Sequence, residues 1–437
     1  MKISVVGIGY VGLIQAVGLA KIGFNITCID SFEEKIQNLK EGITPIYEDG
    51  LESLLTEVKD KISYSIDLTT VKNSDVIFLC VGTPQDKDGK TDLNQIKNAV
   101  IKLKDILSGK EIIVIKSTVP VGTNKMVYEL LNGKNSIVSN PEFLREGNAI
   151  DDFLNTERII LGFNKNENEN VINIIKNVYS FFSDKNTPFI ITNWETAELI
   201  KYTANSFLAT KISFMNEIAQ LADNVDANIK DIITGISLDS RIGKQFLNAG
   251  IGYGGSCFPK DVRSLIHQFT SNGLSGQIVS TVDKVNKEQI GYFMGKIDKQ
   301  IDSFAGKHIA LIGIAFKPDT DDIRESKGIE LCNMLVERGA IIHCFDYNAK
   351  ARINFQNYLN ILGSSRFEMP IYIHSDILST CKDCESLIIT IEDKKILQEN
   401  WHEIKKNMKG DMIFDGRNIL DKNKIKKIGF NYIGIGQ

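Results

Sequence analysis

The sequence predicts an α/β protein in which two doubly wound domains, each built on a mostly parallel sheet, are joined by a long central helix. Three observations predict this arrangement. Short apolar runs alternate with helical patterns over residues 1–192, a long helical pattern begins at Asn193, and the alternation of strands and helices resumes at Lys307. Apolar strands that alternate with helices are typical of parallel sheets covered on both faces.

The composition predicts several domains and argues against highly charged partners. A chain of 437 residues, 43% of them hydrophobic, is long enough for two or three domains with separate cores. The net charge is -4 and the two signs are interleaved, which argues against nucleic acid and anionic membranes as partners. The sequence starts in a strand-like run, and no apolar run reaches membrane-spanning length. We therefore expect a cytoplasmic protein.

The first strand, Ile3 to Gly7, leads into a dinucleotide-binding fingerprint. The motif Gly7-Ile8-Gly9-Tyr10-Val11-Gly12 opens a helical pattern, and the next strand ends at Asp30. The three glycines supply, in order, the turn, the close approach of a pyrophosphate to the helix, and the packing of helix on sheet. The carboxylate of Asp30 would accept hydrogen bonds from ribose hydroxyls and repel a 2′-phosphate. The first domain is therefore expected to be Rossmann-like and to bind NAD rather than NADP.

Polar residues follow three further predicted strands of this domain. The strands are Asp75 to Val81, Glu111 to Ile115 and Ser136 to Ser139, and the residues after them are Thr83, Thr118 and Glu142. Because the carboxyl ends of parallel strands line the ligand crevice, we expect these side chains to converge. A single polar residue at such a position is more often an ordinary loop residue. Three of them at successive strand ends indicate a site.

The helical pattern from Asn193 is expected to begin with Asn193 or Thr192 as its cap. Lys201 and Asn205 lie four residues apart on it and so share one face. Solvent exposure is the default interpretation of such a pair. The alternative is that this face carries functional side chains.

A glycine-rich segment, Gly252-Tyr-Gly-Gly-Ser-Cys257, precedes a predicted helix that starts near Pro259. Lys260 and Asp261 would then lie about one turn beyond the thiol. A thiol next to a cation and a carboxylate is a candidate covalent catalyst. The alternative is a buried structural cysteine at a turn.

The seven cysteines, an odd number, favour reduced thiols over a disulfide framework. Cys381 and Cys384 form a lone C-x-x-C motif, which would suit a redox pair or half of a metal site. No second pair accompanies it, and the five histidines are dispersed in the sequence. We interpret Cys384 as packing before the strand that begins at Leu387, and predict no metal site.

The second α/β half repeats the pattern of the first with a different turn. The strand Lys307 to Ile314 is followed by a helix, Gly328 to Arg338, and the next strand ends at Asp346. Only Gly313 stands where the first half has three glycines, and Phe316-Lys317 fills the rest of the turn. A dinucleotide would fit poorly there. We expect a different phosphate ligand, with Lys317 and Arg324 as counter-charges.

Five motifs together resemble the nucleotide-sugar dehydrogenases, the UDP-glucose/GDP-mannose dehydrogenase family. They are Gly7-x-Gly-x-x-Gly12, Lys116-Ser-Thr-Val-Pro-Val-Gly-Thr123, Asn140-Pro-Glu-Phe-Leu-Arg-Glu146, Gly252-Tyr-Gly-Gly-Ser-Cys-Phe-Pro-Lys-Asp261 and Phe316-Lys-Pro-x-Thr-Asp-Asp-x-Arg-Glu-Ser326. Their order is that of the family, the resemblance covers essentially the whole chain, and the motifs are most similar to members that oxidise UDP-glucose. One departure is Asp49, where the family usually has proline, in a loop expected to lie away from the chemistry.

The resemblance implies a four-electron oxidation of UDP-glucose to UDP-glucuronate with NAD as the cofactor. A first hydride transfer gives an aldehyde, Cys257 attacks it, a second transfer converts the thiohemiacetal to a thioester, and water cleaves the thioester. Related reactions remain open, namely oxidation of GDP-mannose or of a UDP-N-acetylhexosamine. A non-catalytic nucleotide-sugar binder of the same fold is the alternative from another class.

The pattern and the resemblance together give the expected site residues. Those implied for catalysis are Cys257 as the nucleophile, Lys201 and Asn205 at the oxyanions, Asp261 and Thr118 at a water, and Glu142 as the candidate base for hydrolysis. Those expected at NAD are Gly7, Gly9, Tyr10, Val11, Gly12, Asp30, Lys35, Thr83, Thr118, Glu146, Lys260 and Arg324. Those implied at the UDP-sugar are Glu142, Phe143, Leu144, Arg145, Lys201, Asn205, Arg241, Phe246, Leu247, Asn248, Ala249, Gly250, Tyr253, Gly254 and Lys317.

The resemblance also implies the assembly. Arg241 is similar to a family arginine that reaches the nucleotide of the neighbouring subunit, so we expect at least a homodimer. The expected domains are an NAD-binding domain over 1–192, a central helical connector and dimerisation domain with Cys257 over 193–300, and a Rossmann-like UDP-sugar-binding domain over 301–437.

Overall fold

The computed structural model of the chain describes residues 1–86, 88–363 and 370–437. By its packing the chain divides into two units. The first comprises Met1–Ala204 and Ser264–Leu274, and the second comprises Asn205–Arg263 and Ser275–Gln437. The predicted three-domain boundaries stay a prediction. No described helix combines the length and the apolar character that crossing a membrane requires.

The first unit is built on one eight-stranded sheet. Its strands are β1 (Lys2–Val6), β2 (Asn25–Ile29), β3 (Ile62–Ser65), β4 (Val76–Leu79), β5 (Ile112–Ile115), β6 (Ser136–Ser139), β7 (Ile159–Phe163) and β8 (Phe189–Asn193). Their order is β3-β2-β1-β4-β5-β6-β7-β8, and neighbouring strands are parallel except β6 and β7. The helices are α1 (Tyr10–Lys21), α2 (Glu33–Lys40), α3 (Leu51–Val58), α4 (Asn94–Lys104), α5 (Thr123–Leu130), α6 (Ala149–Leu154), α7 (Glu169–Val178), α8 (Ser180–Ser183) and the start of α9 (Trp194–Asn224).

The second unit contains the rest of α9 and a six-stranded sheet. Its helices are α10 (Ile229–Ser237), the start of α11 (Phe258–Ser271), α12 (Gln277–Asp298), α13 (Lys327–Glu337), α14 (Ala349–Gly363), α15 (Ile377–Cys381), α16 (Trp401–Asn407) and α17 (Lys422–Ile428). Its strands are β9 (His308–Ile312), β10 (Ile341–Phe345), β11 (Ile371–Ile373), β12 (Ser386–Ile389), β13 (Met412–Asp415) and β14 (Asn431–Ile433). The strand order is β11-β10-β9-β12-β13-β14, all parallel. These two sheets and the 31-residue helix α9 confirm the predicted fold class.

Both faces of the first sheet are covered by apolar layers. Strand β4 reads Val-Ile-Phe-Leu, and all four side chains are buried. Phe78 packs in one layer with Val114, whereas Ile77 packs with Ile113 on the other face. Since side chains alternate across a strand, an uninterrupted apolar run is what such double coverage requires. Ligand chemistry is therefore left to the loops at the strand ends.

Two glycines close the first βα turn of each unit. A Cβ added at Gly12 would lie 1.9 Å from the carbonyl oxygen of Gly7, which itself has a φ of +90°. In the second unit a Cβ at Gly328 would lie 2.3 Å from the carbonyl oxygen of Gly313, whose φ is +116°. Gly328 therefore takes the role of the third fingerprint glycine. The prediction that Gly313 stands alone was wrong, because a longer loop separates the two glycines in the sequence.

Helices α9 and α11 begin as their sequences predict. Asn193, rather than Thr192, caps α9, because its side-chain oxygen accepts the N–H of Thr196 at 2.9 Å. Helix α11 starts at Phe258, and the N–H of Asp261 donates to the carbonyl of Cys257 at 2.9 Å. Asp261 therefore lies one helical turn after the thiol.

Three histidines that are dispersed in the sequence meet on the second sheet. His308 lies in β9, His343 lies in β10, and His374 directly follows β11. The ring nitrogens of His308 and His343 are 2.8 Å apart, and those of His343 and His374 are 2.9 Å apart. Among the described residues, no group of three or more His, Cys, Asp or Glu side chains could hold a metal ion. The three rings instead form a hydrogen-bonded row.

Candidate active site

The start of α1 fits a dinucleotide. Its first turn has no acidic residue and no side-chain cap, and a Cβ at Gly9 would meet nothing within 4 Å. Open space at an uncapped helix N-terminus suits a pyrophosphate, since the backbone N–H groups there can bind an anion. The structure thus leaves room at the glycine predicted to approach the ligand.

Asp30 lies buried at the end of β2, beside this helix start. Its carboxylate accepts the N–H of Ile8 at 2.8 Å and the N–H of Phe32 at 3.0 Å. Lys35, predicted at the same cofactor, forms an ion pair with it at 2.7 Å. These contacts fix the carboxylate where the fingerprint places a ribose.

Glu48 is a buried carboxylate that the sequence did not indicate. It accepts the hydroxyl of Tyr10, the N–H of Gly147 at 2.8 Å and the N–H of Ala149 at 2.6 Å. Burial, followed by the contact with Glu48, raises the pKa of Tyr10. Glu48 directly precedes Asp49, so this loop contacts Tyr10, a residue expected at NAD, and its separation from the chemistry stays a prediction. The contacts of Glu48 with Tyr10, Gly147 and Ala149 join segments that are distant in the sequence, and no local pattern predicts them.

The ends of β4 and β5 are tied together. The hydroxyl of Thr83 donates to the carbonyl of Thr118 at 2.9 Å, and the hydroxyl of Ser117 donates to the carbonyl of Val81 at 2.6 Å. Thr83 therefore contacts the backbone of Thr118, and the convergence of the three side chains stays a prediction.

Glu142, at the end of β6, is paired with Lys201 of α9. The carboxylate and the ammonium are 3.1 Å apart, and their side chains are 7% and 5% exposed. The other carboxylate oxygen accepts the N–H of Leu144 at 2.6 Å. Lys201 and Asn205 are both buried, so the solvent-exposed interpretation of this helix face was wrong. A buried ion pair with a further hydrogen bond holds both groups in defined positions.

Lys116 is a second buried lysine near this carboxylate, and no role was predicted for it. Its ammonium donates to the side-chain oxygen of Asn140 at 2.9 Å, which also accepts the hydroxyl of Tyr179 at 2.5 Å. Burial lowers the pKa of Lys116 to about 8, against the opposing charge of Glu142. A cavity of about 40 Å³ is lined by Lys116, Asn140, Glu142, Phe143 and Tyr179 among others. It is large enough for a water molecule.

The segment after Glu142 places its side chains in different environments. The ring of Phe143 has the guanidinium of Arg158 at 4.1 Å and the ammonium of Lys201 at 5.2 Å. Arg145 is exposed and pairs with Asp152 at 2.5 Å. Phe143 therefore stands between a buried lysine and a partly exposed arginine, whereas Arg145 faces solvent.

In the second unit, Asp261 brings together two of the predicted residues. Its carboxylate accepts the side-chain amide of Asn205 at 2.6 Å and pairs with Lys260 at 2.5 Å. Asp261 is 1% exposed. Cys257, one turn earlier, is partly exposed, whereas the other six cysteines are buried. Cys381 and Cys384 are among these six, and burial raises the pKa of Cys384 to about 12.

The glycine-rich loop before Cys257 packs within its own unit. A Cβ at Gly254 would lie 2.1 Å from the carbonyl oxygen of Glu325, and one at Gly255 would lie 2.5 Å from the ring of Phe316. Packing alone therefore requires both glycines. The prediction that Gly254 contacts the substrate stays a prediction.

Arg417 is a further residue that the sequence did not indicate. From the end of β13 its guanidinium donates to the carbonyl of Gly252 at 2.8 Å and to that of Thr390 at 2.9 Å. Burial lowers the pKa of this guanidinium. The arginine ties the glycine-rich loop to the second sheet, a long-range contact with no local sequence pattern.

The remaining predicted site residues differ in exposure. In the segment Phe246 to Gly250, Leu247 and Ala249 are core side chains, and Phe246 has a φ of +63°. Arg324 pairs with Asp322 at 2.7 Å, and Arg241 pairs with Asp239 at 2.6 Å. The side chain of Arg241 is 87% exposed. Each of these two arginines thus forms an ion pair with an aspartate two residues away and is largely exposed to solvent.

Comparison with known proteins accounts for the whole chain. Models of the UDP-glucose/GDP-mannose dehydrogenase family match it in three parts: the NAD binding domain over 1–183, the central domain over 195–288 and the UDP binding domain over 310–422. UDP-glucose 6-dehydrogenase of Rickettsia prowazekii is 38% identical, with 100% of this chain and 99% of the relative covered. UDP-glucose 6-dehydrogenase TuaD of Bacillus subtilis is 37% identical, with 100% and 93% covered.

Solved structures agree with these matches. The UDP-glucose dehydrogenase of Pyrobaculum islandicum has a TM-score of 0.88 and 32% identity, with 100% of this chain and 97% of that chain covered. The UDP-D-ManNAc dehydrogenase of Pyrococcus horikoshii, at 24% identity and a TM-score of 0.86 with 100% and 99% covered, shares the fold. The family models, the full-length relatives and the fit of the first unit to a dinucleotide show that this chain belongs to the UDP-glucose/GDP-mannose dehydrogenase family and is an NAD-dependent dehydrogenase of a nucleotide sugar.

Proposed function

We propose that the protein oxidises UDP-glucose to UDP-glucuronate through a covalent adduct on Cys257. One structural observation carries the proposal. Cys257 is the partly exposed thiol among seven cysteines, and it immediately precedes α11, whose first turn holds Asp261 between Asn205 and Lys260. The positive end of a helix dipole favours a negative sulfur. The full-length relatives named UDP-glucose 6-dehydrogenase support the choice of substrate.

In the proposed reaction, NAD supplies the hydride acceptor for each of two oxidations. The first removes a hydride and a proton from the primary alcohol and leaves an aldehyde. The sulfur of Cys257 then bonds to the aldehyde carbon, and the thiohemiacetal oxygen carries the developing charge. Loss of the second hydride gives a thioester. Water breaks the carbon–sulfur bond, which releases the carboxylate and restores the thiol.

The charged residues take the roles that their chemistry allows. Lys201 and Asn205 stabilise the oxyanions, for which a preorganised donor contributes several kcal/mol. Asp261 and Thr118 hold a water that receives the alcohol proton. Glu142 acts as base in the hydrolysis, a role that typically contributes about 10²–10⁴ in rate. The remaining predicted contacts to NAD and to the UDP-sugar belong to the same proposal, as do a homodimer and a cytoplasmic location.

A substrate panel tests the proposal. Purified protein is assayed with NAD and, separately, UDP-glucose, UDP-GlcNAc, UDP-ManNAc and GDP-mannose, and NADH is followed by its absorbance. We expect UDP-glucose to give the highest kcat/KM and two NADH for each sugar oxidised. A preference for GDP-mannose or for an N-acetylated sugar would overturn the substrate assignment. One NADH for each sugar would overturn the four-electron reaction.

A further inference from the structure

Glu198 is a buried carboxylate of α9 to which neither the sequence nor the family match gives a role. It lies one turn before Lys201 on the same helix and is 2% exposed. One carboxylate oxygen accepts the N–H of Gly122 at 2.7 Å. The other accepts both the backbone N–H and the side-chain amide of Asn124, each at 2.7 Å. Three donors therefore converge on one carboxylate.

These donors belong to the start of α5, directly after the loop that carries Thr118. Helix α5 has Gly122 at its N-cap and so has no side chain of its own to accept its first N–H groups. Glu198 supplies that acceptor from another helix. The same loop is held by Gln268, which accepts the N–H of Val121 at 3.0 Å, and by Thr83, which donates to the carbonyl of Thr118 at 2.9 Å.

The first turns of α9 are themselves fixed on the sheet. The indole N–H of Trp194 donates to the carbonyl of Ile137 at 2.8 Å. A Cβ added at Gly162 would lie 2.6 Å from the methyl group of Ala197, so the helix packs closely on β7. One rigid helical segment therefore holds Lys201 against Glu142 and, through Glu198, the loop of Thr118.

We propose that Glu198 is a positioning residue that keeps the Thr118 loop in its NAD-binding arrangement, and that it does so through its ionised form. Hydrogen bonds to a charged acceptor are roughly twice as strong as those to a neutral one. A proton on Glu198 would weaken all three bonds and place an O–H against N–H donors. That the protein binds NAD follows from its family. Only the role of Thr118 at the cofactor rests on the proposed function.

The chemistry of Glu198 makes this dependence measurable. Burial raises its pKa to about 6, although the bonds from Asn124 and Gly122 oppose the shift. Glu195, one turn earlier on α9, is the charged neighbour that adds to the increase. Lys90, and His267 of α11, also line the cleft beside Gly122. The ionised form therefore predominates above about pH 6 and is lost below it.

The experiment is a fluorescence titration of NADH binding between pH 5 and pH 8. For the parent protein we expect binding to weaken roughly fivefold to tenfold as the pH falls through about 6, the effect of losing a charged hydrogen bond. Glu198→Gln should bind weakly at every pH, without that inflection. Glu195→Gln and His267→Gln are matched controls and should keep it.

A second variant decides the matter even if Glu198→Gln fails to fold. Asn124→Ala removes a hydrogen bond that holds the pKa of Glu198 down, so the inflection should move to higher pH. A Glu198→Gln protein that only melts earlier and keeps the parent pH profile would overturn the proposal, as would an unmoved inflection in Asn124→Ala. Because NADH binding needs no sugar, either result is independent of the substrate panel.

Discussion

At the residue scale, buried or partly buried charged side chains fix several loops by hydrogen bonds to backbone groups. Asp30 was predicted because it ends a strand after a glycine motif, and it is buried and held by backbone N–H groups. Glu48, Glu198 and Arg417 act on equally central loops but are far from them in sequence. Fingerprints report local geometry, whereas these partners are fixed only when distant segments pack.

Lys116 gives a prediction at this scale. Its folded pKa, about 8, is lowered mainly by burial, so the folded state is penalised for carrying the charge. Between about pH 8 and the ordinary pKa of 10.5, the unfolded state binds more protons than the folded state. The contribution of Lys116 to the free energy of unfolding therefore rises as the pH increases through this range. Lys116→Met removes the penalty near neutral pH. We expect an unchanged or higher Tm, by up to a few degrees.

The same variant should lose activity. Lys116 lies within electrostatic reach of Glu142 and orients Asn140, so turnover should fall by about tenfold or more. Calorimetry and NADH formation measure the two effects, and Lys125→Met, at an exposed position of α5, is the control. A lower Tm with full turnover would show that Lys116 is purely structural.

At the scale of elements, strands and helix starts were predicted well because their signals are local. Strand β6 was predicted with the bounds that the structure shows, and Asn193 caps α9. Exposure on α9 was not predictable, since the pattern alone cannot say whether Lys201 and Asn205 face solvent or another element. The row of histidines was missed for the same reason, because only the strand order places β9, β10 and β11 side by side.

The histidine row predicts acid sensitivity of the second sheet. Burial and the two neighbouring rings lower the pKa of His343 to about 4 from 6.5, and that of His374 is lowered as well. Asp376 acts in the opposite direction on His374. Between these pH values the unfolded state binds more protons, so stability falls as the pH drops from 6.5 toward 4.

His343→Gln should make that decline shallower. We expect the difference in Tm between pH 7 and pH 5 to shrink by a few degrees, after allowance for the partial exposure of the ring. His402→Gln, at an exposed position, serves as the comparison and should behave like the parent. Equal dependence of Tm on pH for the parent and His343→Gln would show that proton binding by this row does not differ between the folded and unfolded states.

At the scale of the whole molecule, the chain is two α/β units with related βα turns and different loops. The first keeps Gly9 open at an uncapped helix, which suits a pyrophosphate. The second unit has a longer loop between Gly313 and Gly328 in place of the short glycine motif. Part of this loop packs against the glycine-rich segment before Cys257. The two similar turns thus differ in use: the first suits NAD, and the second supports the loop before Cys257.

Cys257→Ser tests whether the sulfur of Cys257 carries the sugar between the two oxidations. The measurement is the amount of UDP-glucuronate and NADH formed from UDP-glucose in a quenched reaction with enzyme in excess, together with the mass of the protein. We expect the parent to yield the acid with two NADH, whereas the variant should release almost no acid and retain the sugar at the ester or aldehyde level. Formation of UDP-glucuronate by Cys257→Ser at the parent rate would contradict the covalent mechanism.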